Sequence, residues 1–107
     1  MKAIQISELG GPEVLVYKDV KEPDVSDDQA LLDIKAIGVN YTDVYTRTGM
    51  TPSKVPVIPG VEASGIVLRA GQGVTEVKEG DLVAYTGAMG SYAERASVSS
   101  WRLVKVP

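Results

Sequence analysis

Neither cysteine nor histidine occurs anywhere in the chain. Together these absences remove disulfides, Cys/His zinc sites, thiol nucleophiles and any triad that needs an imidazole base. A cation held by carboxylates alone would call for a D-x-D-type loop, and the sequence has none. Positive charge is scarce as well: 11 Lys and Arg stand against 14 Asp and Glu, a net charge of −3. A nucleic-acid binder would show a basic stripe instead. No run of about 18 apolar residues exists to cross a membrane. Met1-Lys2 leads through Ala3-Ile4-Gln5-Ile6 into Ser7-Glu8, too short an apolar run for a secretory leader. Asn40-Tyr41-Thr42 matches a glycosylation sequon, by chance if the chain is not secreted. The expectation is a cytoplasmic protein with no membrane and no nucleic acid among its partners.

What remains is a globular composition, 44% apolar and 23% charged over 107 residues, the size of one domain. Such a domain buries about two-thirds of its unfolded surface, enough for a core without covalent staples. Short β-rich runs are punctuated by Gly and Pro. Lys2–Ile6 alternates, with Ile4 and Ile6 on one face, and after Gly10-Gly11-Pro12 a second strand begins at Val14–Tyr17. Residues 21–29, with Pro23 and the acidic Glu22, Asp24, Asp27 and Asp28, read as an exposed connection. Ala30–Ile37 has the cleanest period of two: Ala30, Leu32, Ile34 and Ala36 share a face, and Leu31 and Ile37 on the other predict cover at both ends.

Asn40 as N-cap, Asp43 three residues on and Gly49 beyond the last turn predict one short helix. The residues between have weak helix propensity, so caps and tertiary contacts must hold it. Pro52, Pro56 and Pro59 make a stiff extended loop. A strand is expected at Glu62–Ala70, with Gly65 marking a bulge or bend, then turns at Gly71–Gly73 and Lys78–Asp81. Leu82–Tyr85, Tyr92–Val98 and Arg102–Val106 complete the strands, with a flexible loop at Gly87–Ser91. The fold class is mainly β, a small partly open barrel with one or two short helices.

Three features bear on chemistry. Gly71-Gln72-Gly73-Val74-Thr75-Glu76 starts like a dinucleotide fingerprint, but Glu76 takes the third glycine position and no helix follows. It reads as a turn. Glu62 sits among apolar residues, so it must be paired with a cation or exposed at a strand end. The capped helix is the best candidate site: Asn40 can donate and accept, Tyr45 has a ring face and a hydroxyl, and Arg47 is a fixed charge. Spacing alone favours a plainer assignment, with Asn40 capping, Tyr45 packing and Arg47 solvated.

Taken in order, Gly11-Pro12-Glu13-Val14-Leu15, Ala36-Ile37-Gly38-Val39-Asn40-Tyr41-Thr42-Asp43 through Gly49, Pro59-Gly60-Val61-Glu62-Ala63-Ser64-Gly65, Val77–Val83, Gly90-Ser91-Tyr92-Ala93-Glu94 and Leu103–Pro107 form a pattern in register over nearly the whole chain. It resembles the N-terminal GroES-like domain of the medium-chain dehydrogenase/reductase superfamily, in the zinc-free, zeta-crystallin-like quinone oxidoreductase branch. Zinc-dependent relatives carry Cys and His ligands where Asn40 and Val61 stand, so the resemblance implies no metal site here. It implies NADPH-dependent transfer of reducing equivalents to a quinone or an activated alkene or carbonyl. Asn40 and Tyr45 would be the catalytic residues and would lie, with Arg47, against the cofactor. Thr51 replaces an aromatic of many members, which implies a more open acceptor pocket.

Family members continue past the segment matching Val106-Pro107 into a Rossmann domain and then return. The expectation is therefore that residues 1–107 form the GroES-like catalytic domain without its cofactor half. On that reading NADPH binds only when a Rossmann domain or a separately encoded partner is supplied, and bare apolar faces drive homo-oligomerisation. The alternatives are a stand-alone binding or assembly module and a co-chaperonin-like protein, whose mobile-loop tripeptide Gly65-Ile66-Val67-Leu68 resembles.

Overall fold

The computed structural model describes all residues, 1–107. Two antiparallel sheets share the strands. β1 (Lys2–Gln5) and β2 (Val16–Asp19) form a two-stranded ribbon, and the five-stranded sheet runs β6 (Arg95–Ser99), β3 (Gln29–Ile37), β4 (Glu62–Ala70), β5 (Leu82–Thr86), β7 (Val104–Lys105). A single α-helix, α1 (Tyr41–Thr48), connects β3 to β4. The sheets touch through residues 92–94, where Ile4 N–H donates to Tyr92 O at 2.8 Å and Glu94 N–H to Lys2 O at 3.0 Å. No strand closes the remaining gap, so the expected barrel is a partly open one.

The core follows the period of two. Ala30 and Leu32 of β3, Ala63 and Val67 of β4, Val83 and Tyr85 of β5, and Ala96 and Val98 of β6 all turn to one side, with Val77 and Leu103 closing the ends. Removing each of the valine and leucine side chains from water contributes about 1.5–3 kcal/mol. Gly65-Ile66-Val67-Leu68 lies in the middle of β4 with Val67 only 1% exposed, so the segment compared with a mobile loop is a core strand.

Several local expectations are corrected. The second strand begins at Val16, not Val14, because Pro12 opens a 3-10 turn over Pro12–Val14 that carries Val14 inward. In β1 the buried residue is Ala3; Ile6, just beyond the strand, is fully buried and bridges Val57, whereas Ile4 lies on a cleft wall. Tyr92–Glu94 does not join β6, because its main chain crosses to pair with β1. At the other end, Ser100–Arg102 form a 3-10 turn, which shortens the last strand to Val104–Lys105.

Gly65 marks a close approach, and the irregularity it permits sits in its neighbour. Ile34 pairs with Gly65 and Ala36 with Ser64, leaving Lys35 as an extra residue bulged out of β3. A Cβ on Gly65 would collide with the Asp33 carbonyl oxygen. Beyond the bulge β3 turns outward, so Ile37 lacks the cover expected for it and is 42% exposed. The Gly71–Gly73 segment is a turn, as read from the sequence. Gly71 N–H donates to Gln29 O at 2.7 Å and Gly73 N–H to Asp27 O at 2.9 Å, and a Cβ at Gly71 would meet the Ser26 carbonyl. The acidic connection runs beside β6, held by the Arg95–Glu22 ion pair and by Ser97 Oγ donating to Asp24 O at 2.7 Å.

Gly65→Ala is expected to lower the unfolding free energy by about 2–3 kcal/mol, because rigid backbone must move to admit the methyl group. At Gly73 the nearest atom to an added Cβ is 3.3 Å away, so Gly73→Ala should cost less than about 1 kcal/mol. Urea unfolding of the two variants measures the difference.

Candidate functional site

Gly38 and Val39 carry the chain from β3 to Asn40, which has the extended backbone of an N-cap (φ −129, ψ 154). Asn40 and Asp43 form the expected capping box. Asp43 Oδ2 accepts the Asn40 N–H at 3.0 Å and also a short hydrogen bond from the Tyr92 hydroxyl. At the far end Gly49 adopts φ 86, as a left-handed C-cap requires, and its N–H donates to Tyr45 O at 3.1 Å. Arg47 pins the helix to the preceding hairpin: its Nη1 donates to Gly10 O at 3.1 Å and its carbonyl accepts Gly10 N–H at 2.8 Å. These contacts hold a helix whose residues favour the state only weakly.

The carboxylate at the cap is 7% exposed and has no cation partner. Two donors converge on Oδ2, while Oδ1 and the Asn40 Nδ2 are buried with no partner in the protein. Burial, followed by the bond to Asp43 and its charge, pushes the Tyr92 phenol above its ordinary pKa. The turn bearing Tyr92 sits close because residue 60 is glycine: at φ 95 it has no Cβ to strike Ser91 Oγ or the Tyr92 ring.

Tyr92 and Val39 also form part of the wall of a cleft of about 520 Å³ between the two sheets, whose other walls include Ile4, Tyr17, Ile34 and Ile37. Lys2 and Lys35 stand in its lining, each paired at 2.8 Å, with Asp19 and Asp33 respectively. Asn40, Tyr45 and Arg47 are not among its lining residues. Tyr45 is 37% exposed and packs edge-to-face on Tyr41, ring centroids 5.1 Å apart. The structure thus links Asn40 to the cleft through Asp43 and Tyr92, while Tyr45 and Arg47 lie further along α1.

Glu62 departs from both alternatives read from the sequence. It is half-buried, has no ion-pair partner, and its carboxylate lies against Gly38, where a Cβ would overlap it. It lines a second cavity of about 380 Å³ with Ser64 and Tyr85. Sequence reasoning overlooked Tyr92 and saw only the cap in Asp43. Its one available signal was Asp43 at the third helical position, since no local pattern marks a tyrosine 49 residues away as its donor. No group of three or more acidic side chains could hold a metal ion. No helix is long and apolar enough to cross a membrane.

Residues 26–107 match the alcohol dehydrogenase GroES-like domain. The chain is 39% identical over 111 residues to a quinone oxidoreductase of Lama guanicoe, covering all of this chain and 34% of that protein. The crystal structure of the quinone oxidoreductase of Pseudomonas syringae pv. Tomato DC3000 superposes with a TM-score of 0.96 at 41% identity, over 99% of this chain and 33% of that one. The Escherichia coli quinone oxidoreductase complexed with NADPH gives 0.95 at 34% identity, over 100% and 33%. The chain spans about a third of the length of these relatives.

Tyr92→Phe should leave the buried Asp43 carboxylate one donor short and lower stability by about 1–3 kcal/mol in urea unfolding. The phenols also set an alkaline limit. Tyr85, whose buried hydroxyl has no partner, is pushed by burial from 10.0 to about 12, and Tyr92 is raised as well. A raised folded-state pKa contributes stability that is complete below the unfolded value of 10.0 and is lost as pH rises through about 12. Urea midpoints should therefore fall across that interval, and less steeply in Tyr85→Phe.

Proposed function

The chain belongs to the alcohol dehydrogenase GroES-like domain family, and we propose that residues 1–107 are the N-terminal catalytic domain of a zinc-independent, NADPH-dependent oxidoreductase. Its acceptor would be a quinone or an activated alkene or carbonyl compound. The observation that carries this reading is Asn40: an amide at the head of a rigidly capped helix, with Nδ2 buried and unpartnered. Val61 and Asn40 stand where zinc-dependent relatives are expected to have ligands, and neither side chain suits that metal.

The Asn40 amide is assigned to orienting the nicotinamide end of the cofactor, and Tyr45, part-exposed further along α1, to lining the acceptor pocket. Arg47 uses one N–H on Gly10 and keeps others for contact at the nicotinamide end of the cofactor. The residues of this chain fit only that end of NADPH. A pyrophosphate needs free backbone N–H groups at a helix N-terminus, whereas the Gly71 and Gly73 N–H groups are spent on Gln29 and Asp27. A Rossmann domain, in the same polypeptide or separately encoded, is therefore the proposed partner. When bound, NADPH supplies the hydride; Asn40 and Tyr45 supply orientation, the main source of rate where no metal polarises the acceptor. Exposed Tyr17, Ile37 and Val39 around the cleft favour a homo-oligomer. A cytoplasmic location accords with this chemistry.

Asn40→Ser tests the assignment. Serine keeps a capping oxygen but removes the amide donor, without adding a second carboxylate beside Asp43. In the chain combined with a dinucleotide-binding domain, NADPH-dependent turnover should fall by about 100-fold while the melting temperature stays within about 2 °C. Turnover close to that of the parent would remove Asn40 from the site. Calorimetric titration of the isolated chain with NADPH should give no micromolar binding.

A further inference from the structure

Beyond the sheet edge formed by β7 lies a group of residues that the proposed active site leaves unused. Trp101 is the only tryptophan and is 70% exposed. The Arg102 guanidinium lies over its ring, 4.2 Å from the centroid. Arg102 Nη1 faces the Thr86 carbonyl at 3.5 Å and occupies the space above Gly87, where a Cβ would sit 2.5 Å from it. Gly87 has φ 86, so the backbone that makes this slot is one glycine favours. The guanidinium is thus located from three sides: an indole face, a carbonyl and a gap left by a missing side chain.

No carboxylate pairs with it. The ion-paired cations are Lys2, Lys21, Lys35, Arg95 and Lys105. A guanidinium has five N–H donors in a planar fork, and only one is engaged. Beside it is a cavity of about 490 Å³ walled by Ala84, Tyr85, Trp101 and Val104, with Thr86 at its edge. Tyr85 is nine-tenths buried and its hydroxyl has no partner.

We propose that this cavity is a binding site for a small carboxylate borne on a flat apolar body, such as an aromatic acid. The carboxylate pairs with the fork of Arg102, and the flat body packs against Trp101 and Val104. A planar carboxylate matches the fork in a two-bond geometry that an ammonium cannot reproduce. A single cation in a chain of net charge −3 suits a monoanion better than a phosphate dianion. The site is independent of the NADPH-dependent reading, since none of its residues belongs to the helix-cap site.

Because Trp101 is the sole tryptophan, its emission reports occupancy of the isolated chain directly. Titration with benzoate should quench it saturably. Benzamide, which keeps the ring but not the charge, and acetate, which keeps the charge but not the ring, should each bind at least tenfold more weakly, as should inorganic phosphate. Arg102→Gln and Arg102→Lys should both weaken benzoate at least tenfold with unchanged urea midpoints, the lysine variant separating the planar fork from charge alone. Non-saturable quenching, equal binding of benzamide, acetate or phosphate, or an undiminished affinity in Arg102→Gln would each overturn the proposal.

Discussion

A carboxylate that is almost wholly buried and has no cation must be supplied with hydrogen-bond donors, because leaving it bare would cost more than a small domain has to give. Asp43 is that group, with one donor close by in the chain and the other 49 residues away. One is the Asn40 N–H that starts α1; the other is the Tyr92 hydroxyl, carried by the turn that bridges the two sheets. Satisfying one side chain therefore fixes the start of the helix, the position of the 90–92 turn and part of the cleft wall together. Gly60 is the steric counterpart, since that turn can approach only where the facing residue has no side chain.

A second constraint is the way β3 changes character along its length. Its first half is core, with Ala30 and Leu32 fully buried between β4 and β6. After Lys35 the strand leaves that environment, and Ala36, Ile37 and Val39 face outward. Cleft and helix cap both lie on this outward portion, so one strand joins the stable part of the domain to the part available to a ligand or partner. That arrangement suits a site whose residues are positioned by a rigid scaffold while their tips stay accessible.

Much of this was legible in the sequence. Alternation located β3 and β4, because a half-buried strand has to alternate, and the Asn40–Asp43–Gly49 spacing located α1 because its ends have backbone groups that only such residues satisfy. The Gly71–Gly73 turn was legible from Glu76 for a related reason: a phosphate loop has no use for a carboxylate there. Other features depend on contacts between residues far apart in the chain. The Tyr92 hydroxyl meets Asp43 across 49 positions. Glu62 escapes a choice between ion pair and exposure only because Gly38, just past the end of β3, leaves it room. Tyr92–Glu94 looked like the start of β6, yet its main chain is claimed by β1, a competition that local propensity does not encode.

The extra residue in β3 bears on how the chain finds its fold. A regular antiparallel pair can slip by two residues and keep every side chain on its original face, so alternation alone leaves such errors cheap. With Lys35 looped out opposite Gly65, a two-residue slip would bring a side chain against the backbone where only glycine fits, and would move the bulge away from the gap that accepts it. The pairing of β3 with β4 is thereby locked to one alignment. Misaligned pairings of β3 with β4 would have a built-in tendency to dissolve and try again.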